Sequence, residues 1–497
     1  MFNEDNTIEQ LLISKAQENG WEYVPASELP REMSDVMVES WVKDALLRLN
    51  PTITPEQADE VVFKIRTIII SVQPHDLVTA NERFNELVFD KNTYPFGKDG
   101  EHIPIRLFAE DDIRLNRYTI TNQWMYPKAS NIGGKRLDIV MLVNGIPVII
   151  GETKSPVRNS ITWADGAVDI QNYEQSIPQM FVTNILNFAT EGKSFRYGSI
   201  SAPLTKWGPW YEGEDKSEGT LSDVARSFKQ MLRPVHIIDF MRYFSIFATD
   251  KRHRKIKIIC RYQQYEGANA IVNRVVTGFP RKGLIWHFQG SGKSLLMVFA
   301  AQKLRSHKEL KNPTVVIVDD RLDLETQITA DFMNADIPNL ASAGSKEELI
   351  NFFRQDQRKI LITTIFKFGD VTESLSDRDN IILMVDEAHR TQEGDLGEKM
   401  RMALPNAFFF GLTGTPINRQ DRNTFATFGA DSDKSGYMSK YSFSDSIKDG
   451  ATLKLEFEPV PVELKIDKAA LDAEFAALTD QISEEDKTLL VRKTNTE

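Results

Sequence analysis

The chain of 497 residues contains one cysteine, Cys260, so an intrachain disulfide is excluded. Long apolar runs are also missing. No stretch approaches the roughly 20 residues needed to span a bilayer, and Met1-Phe2-Asn3-Glu4-Asp5-Asn6 has no apolar leader core. These absences predict a soluble, cytoplasmic protein with no membrane partner. Positive charge is short as well: 60 Lys and Arg against 71 Asp and Glu give a net charge of −11. That excludes a uniformly cationic surface and leaves room only for local basic grooves. The densest basic run, Lys251-Arg252-His253-Arg254-Lys255-Ile256-Lys257, reads as a solvated interdomain linker ahead of a basic nucleic-acid edge. Cys260 ends an Ile-rich run and reads as a small core residue. Internal repeats and low-complexity tracts are absent too.

What is present suffices for several cores, with 41% hydrophobic and 26% charged residues, so two or three domains are expected. Gly283-Leu284-Ile285-Trp286-His287-Phe288 reads as a buried strand and Leu295 to Ala301 as an apolar helix. Between them lies Gln289-Gly290-Ser291-Gly292-Lys293-Ser294. Backbone N–H groups at such a helix start converge on phosphate oxygens, and glycines allow close approach. Lys293 would neutralise the β and γ phosphates, and Ser294 would offer its hydroxyl to Mg²⁺. His287 stands where the usual pattern has its first glycine. An ordinary Gly-rich turn is the plainer alternative.

Two later strand ends argue against that alternative. The apolar run Ile381 to Val385 delivers Asp386-Glu387-Ala388-His389 at its carboxyl end, where parallel α/β sheets place ligand chemistry. Asp386 can hold Mg²⁺, and Glu387 can orient and deprotonate the attacking water. Phe408 to Leu412 ends in Thr413-Gly414-Thr415-Pro416. In this order, residues from about Arg261 to Pro459 resemble the first motor domain of a superfamily 2 helicase or translocase. The resemblance implies that Gln264, with Gln263 as the adjacent alternative, reads adenine, that Asp386 to His389 form the DEAH box, and that Thr413, Gly414 and Thr415 couple hydrolysis to DNA. Thr314 to Arg321 with Gln327, and Ile362 to Phe368, resemble strand ends that touch the nucleic-acid backbone.

The N-terminal half carries a second constellation. Leu137 to Val143 and Val148 to Lys154 are β-rich runs around Asn144-Gly145, a strong hairpin signal. Glu152 and Lys154, two apart, share one sheet face. With Asp138 the carboxylates can hold a divalent cation against a scissile phosphate while Lys154 stabilises charge. A solvated strand end is the plainer reading of such a match, but polar side chains that close otherwise buried strands fit it poorly. Register is the requirement: a two-residue turn pairs residues summing to 289 and sets Asp138 opposite Gly151, whereas a shared site needs a sum of 290. A three-residue turn, Asn144 to Ile146, or a one-residue bulge near Gly151 is therefore expected.

The pattern resembles PD-(D/E)xK nucleases. Glu9, on the helix around Ile8 to Ile13, resembles the extra acidic residue some of them bring to the metal, a solvent-facing glutamate being the alternative. Tyr173 resembles their helix tyrosine, although Asp169 sits where the accompanying glutamine belongs and Gln171 is out of phase.

Taken together, nuclease core, phosphate loop, DEAH box and Thr-Gly-Thr-Pro, in that order, resemble the restriction and translocation (R) subunit of type I restriction-modification enzymes. Trp286 to Ser294 and Lys448-Asp449-Gly450 agree locally. The resemblance implies an α/β chain: a PD-(D/E)xK nuclease domain over 1–234, a bridging segment 235–260, and a RecA-like P-loop motor domain with a parallel sheet over 261–459. Residues 460–497, helical around Ala469 to Phe475, would begin the connection to a second motor domain beyond this chain, so that the chain is expected to be an N-terminal fragment. It further implies ATP and Mg²⁺ as cofactors, double-stranded DNA as substrate, cleavage away from the recognition site, and methylation (M) and specificity (S) subunits as partners. A helicase-nuclease fusion of DNA repair, and a fragment binding ATP and partners without turnover, are the other readings. Ser201 to Tyr211, rich in Pro, Gly and aromatics, reads as an irregular packed loop ahead of a base-stacking surface.

Overall fold

The computed structural model describes residues 7–127, 134–155, 160–319, 339–388, 395–417, 423–453, 468–480, 482–483 and 486–488. Two compact units are distinguished, residues 1–452 and 453–497. In the second, the helical spacing around Ala469 becomes a helix, Lys468–Leu478.

The first unit is built on two sheets. The N-terminal one has six strands in the order β1 (Glu22–Tyr23), β2 (Tyr118–Pro127), β3 (Gly134–Val143), β4 (Ile146–Thr153), β5 (Leu186–Thr190) and β6 (Phe195–Gly198). It is mixed: β1 with β2 and β4 with β5 are parallel, the other neighbours antiparallel. Helix α1 (Thr7–Glu18) brings Glu9 to this sheet and α2 (Trp163–Ser176) brings Tyr173. Helix α2 starts at a capping box in which Thr162 and Asp165 satisfy each other's backbone N–H groups.

The β3–β4 hairpin settles the register. Its turn has two residues, Asn144 (φ 52°) and Gly145 (φ 85°), the positive pair that a type I′ turn requires. Val143 pairs with Ile146 and Leu142 with Pro147, but Met141 pairs with Ile149. Val148 is the extra residue. Beyond it the sum is 290, with Ile139 opposite Gly151. The expected bulge therefore exists, at Val148 beside the turn instead of at Gly151, and the three-residue turn does not form.

The basic run Lys251 to Lys257, expected as a solvated linker, belongs to a folded segment. That segment forms a helix, Pro234–Arg242, and an antiparallel hairpin of β7 (Ser245–Thr249) and β8 (Lys255–Ile259). Lys251 to Arg254 are the exposed turn, while Lys257 is buried and donates to the Asn184 carbonyl at 2.7 Å. Cys260 is fully buried. Trp207, Trp210 and Tyr211 of the expected packed loop are buried too, which removes them as a stacking surface.

The second sheet is parallel throughout: β9 (Lys282–His287), β10 (Thr314–Asp319), β11 (Leu340–Ser342), β12 (Ile360–Thr364), β13 (Ile381–Val385), β14 (Phe408–Thr413) and β15 (Ser439–Tyr441) lie in the order β11-β12-β10-β13-β14-β9-β15. Ile285, Ile317, Ile362 and Met384 point into a core continuous with that of the N-terminal sheet, whereas Leu284, Val318, Leu361 and Leu383 point into a separate one. Period-two alternation with both faces apolar is why these strands read as unbroken hydrophobic runs.

Candidate active sites

The first site lies where β3, β4 and α2 meet. The register carried one step past Ile139 and Gly151 sets Asp138 across from Glu152. Asp138 Oδ2 accepts hydrogen bonds from Thr153 N and Oγ1, both at 3.0 Å. Glu152 Oε1 accepts from Lys154 Nζ at 2.9 Å and from Tyr173 OH at 3.4 Å. Both carboxylates are buried. Burial, then the neighbouring charge of Asp138, pushes the Glu152 carboxyl up to about 8, and burial raises Asp138 despite the Thr153 donors. Burial works to lower Lys154, but Asp169 and Glu152 outweigh it and hold the ammonium charged.

One atom shows what this pair lacks. Glu152 Oε2 is buried and no donor among the described residues reaches it. A buried carboxylate oxygen without a partner is costly, and a cation beside it would restore the balance. Among the described residues no group of three or more His, Cys, Asp or Glu is arranged to hold a metal.

Glu9 is buried, not solvent-facing. Asn122 and Gln123 of β2 hold it at 2.9 and 2.7 Å, and its carboxyl is raised by burial and, more weakly, by the charge of Asp138. Gln123 (φ 56°) is skipped in the β2–β3 ladder opposite Asp138. Asp169 bonds Lys154 Nζ through Oδ2 at 2.5 Å. One turn apart, Asp169 and Tyr173 bring the accessory helix onto the site, while Gln171 turns away to the Ala202 carbonyl. Asn122, Gln123 and Thr153 carried no signal in the sequence, and Asp169 registered only as a departure from a pattern.

The second site lies at the carboxyl ends of β9, β13 and β14. Helix α3 (Lys293–Ser306) begins directly after Gly292 (φ 85°), and Gly290 (φ 83°) makes the preceding bend. The loop thus joins strand end to helix start, as the phosphate-binding reading requires. Lys293 Nζ lies 3.7 Å from Glu387 Oε1. Glu387 has φ 45° and donates its N–H to Asp386 Oδ1, and Asp386 N reaches the Val318 carbonyl. Thr415 N donates to Thr413 Oγ1 at 3.1 Å. Ser291 is buried, Ser294 is half-buried at the helix start, and Gly414 packs on the Gln289 backbone.

Gln264 sits on the helix Tyr262–Thr277. Its amide is engaged by Gly292 O at 3.1 Å and by the Arg261 N–H at 2.8 Å, so it braces the loop; Gln263 is buried beside it. His287, in the place of the usual first glycine, is fully buried against Ser439 Oγ at 2.9 Å. Burial, then the Lys293 charge, lowers its imidazole to about 3, so it stays neutral. His389, Asp320, Arg321 and Gln327 lie outside the described residues.

Known proteins match in the same two regions. Residues 1–206 match the family model described as type I restriction enzyme R protein N terminus, and residues 263–488 that of the SWI2/SNF2 ATPase. The chain is 33% identical to the type I restriction enzyme HindI endonuclease subunit of Haemophilus influenzae, over 99% of the chain and 49% of that protein. It is 28% identical to the putative type I restriction enzyme MjaIXP endonuclease subunit of Methanocaldococcus jannaschii, over 98% and 49%. The chain thus spans about half the length of these curated relatives. Against the solved Sulfolobus solfataricus SWI2/SNF2 ATPase core in complex with dsDNA the TM-score is 0.26, with 17% identity over 32% of this chain and 33% of that one. No described helix is long and apolar enough to cross a membrane.

Proposed function

The chain belongs to the family of type I restriction enzyme R proteins, and on that premise we propose that its two sites are the nuclease and the first half of the motor of an ATP-dependent restriction endonuclease. The substrate is double-stranded DNA, translocated at the expense of ATP and cut away from the recognition site, which partner specificity and methylation subunits select. The observation that carries the nuclease half is Glu152: a buried carboxylate raised to about 8, with one oxygen unpartnered, beside Asp138 and Lys154.

At the nuclease site Asp138 and Glu152 fit a divalent cation, Mg²⁺ in this reading, and Glu9 bears on it through its charge. Bound there, the cation supplies Lewis-acid polarisation of a phosphodiester and of water. Lys154, fixed by Glu152 and Asp169, stabilises charge on the scissile phosphate. Tyr173 orients Glu152.

At the motor site the N–H groups of Gly290, Gly292, Lys293 and Ser294 would cradle the phosphates, aided by the positive helix end, while the Ser291 N–H donates to the Phe288 carbonyl at 3.1 Å and so fixes the bend of the loop. Lys293 moves from Glu387 to the β and γ phosphates. Ser294 and Asp386 fit Mg²⁺, and Glu387, released, takes a proton from the attacking water. Gln264 braces Gly292 while Gln264 or Gln263 reads adenine. His389 belongs to the same box, and Thr413, Gly414 and Thr415 transmit the hydrolytic state to DNA.

The test is Lys293→Ala in the full-length protein assembled with its partner subunits. ATP turnover and target cleavage are both expected to disappear, because translocation precedes cutting. Normal cleavage by a variant without ATPase activity would contradict the coupled reading.

A further inference from the structure

Trp286 is the next-to-last residue of β9, the strand that feeds the phosphate loop. In register it lies between Thr413 on one neighbouring strand and Lys440 on the other. Successive side chains on a strand point to opposite faces. His287 therefore turns into the core beneath the loop, and Trp286 turns to the other face, towards the Thr413-Gly414-Thr415 turn.

The ring is held in one orientation. Phe425 and Tyr437 meet it edge-on at centroid distances of 6.1 and 5.7 Å, and Lys440 Nζ lies 4.4 Å from its centroid. So oriented, the indole Nε1–H donates to the Gly414 carbonyl at 3.3 Å. On its other side Gly414 presses against the phosphate loop: a Cβ there would lie 2.9 Å from Gln289 N and 3.3 Å from His287 O. The Gly414 peptide is clamped between a side chain from the strand before the loop and the backbone of the loop itself. A hydrogen bond that only stabilised the fold could have been made to any nearby acceptor; this one is made to the peptide that touches the nucleotide loop.

We propose that the Trp286 indole N–H is a positioning group for the motor, holding Gly414 against the phosphate loop so that nucleotide occupancy of the loop is felt by Thr413 and Thr415. The inference rests on the ATPase reading of this site. A neutral hydrogen bond contributes on the order of 1 kcal/mol, which is about five- to tenfold in rate when it acts in the transition state.

The experiment uses the full-length protein in its assembly and measures ATP affinity and DNA-stimulated turnover separately. Trp286→Phe keeps an aromatic ring among Phe425 and Tyr437 and removes the donor. The expected result is a kcat about five- to tenfold lower with ATP affinity within about twofold of the parent. Gly414→Ala attacks the same contact from the other side, and Trp286→Phe added to it should lower turnover no further.

Three results would overturn the proposal: parental turnover in Trp286→Phe, an equal fall in affinity and turnover, or additive effects in the double variant. If Trp286→Phe does not fold, turnover by Gly414→Ala decides, and a parental rate there also overturns it. Lys293→Ala runs alongside. Should that variant still hydrolyse ATP, the ATPase reading fails; should it be inactive while Trp286→Phe is parental, only the present inference fails.

Discussion

Asp138 faces Glu152 across the β3–β4 ladder because one residue, Val148, is left out of it. Without that bulge the two-residue turn would set Asp138 opposite Gly151 and place the two carboxylates on different faces. The bulge thus brings the two carboxylates of a tight hairpin onto one face, and the unpartnered Glu152 Oε2 is what the proposed cation would meet.

Mg²⁺ should therefore stabilise the chain. At about a hundredfold excess over its dissociation constant the gain is about 2.7 kcal/mol, seen as a higher melting midpoint by calorimetry. Asp138→Asn should lose this response while folding normally. An unchanged Mg²⁺ response in Asp138→Asn would place the cation elsewhere.

Gly151 is required by its neighbour. It lies directly opposite Phe188 of β5, and a Cβ there would fall 2.0 Å from the buried ring. Gly151→Ala should cost about 1–3 kcal/mol through overpacking and shift Glu152 next door. Denaturant unfolding measures the loss, and a neutral result would mean that Phe188 has room to move.

Glu387 holds Lys293 at 3.7 Å. Glu387→Gln should lower ATP turnover by about a hundredfold or more, the scale of a lost general base, while ATP binds as tightly or more tightly because Lys293 is released. Turnover that falls without any loss of affinity is the signature, read by calorimetric titration and phosphate release. Parallel losses would assign Glu387 a structural role.

Lys257 gives a pH signature. Burial depresses its ammonium from 10.5 to about 7. Between those values the unfolded chain binds a proton that the folded chain does not, so this group makes stability rise with pH across that window. The contribution is complete above about 10.5 and lost as pH falls through about 7. Lys257→Met should remove that slope and be most favourable, by on the order of 1–4 kcal/mol, near neutral pH. Melting midpoints of both chains from pH 7 to pH 10 check it; parallel curves would refute the buried-amine account.

Much of this architecture was legible in the residues. The phosphate loop, Ile381 to Val385 and Phe408 to Leu412 were readable because parallel strands buried on both faces are continuous apolar runs that end abruptly in polar motifs. The need for an irregularity between Asp138 and Glu152 was readable too, from the arithmetic of the turn. Its place was not: Ile146 to Ile150 are all buried, so no alternation marks the extra residue. The burial of Glu9 was hidden because its partners, Asn122 and Gln123, come from a strand more than a hundred residues away. Lys257 misled for the reverse reason. A basic run reads as solvated, yet the period of β8 turns this one lysine into the core.

If two separate engines share the chain, disabling one must leave the other running. Target cleavage and DNA-stimulated ATP turnover are followed in the same reaction by the full-length protein in its assembly, for Asp138→Ala, Glu152→Ala and Lys154→Ala against the parent. Cleavage should be abolished in all three with turnover largely intact, since these residues and the phosphate loop belong to different sheets. Cleavage that survives the loss of either carboxylate, or turnover that falls together with cleavage, would contradict the two-engine reading.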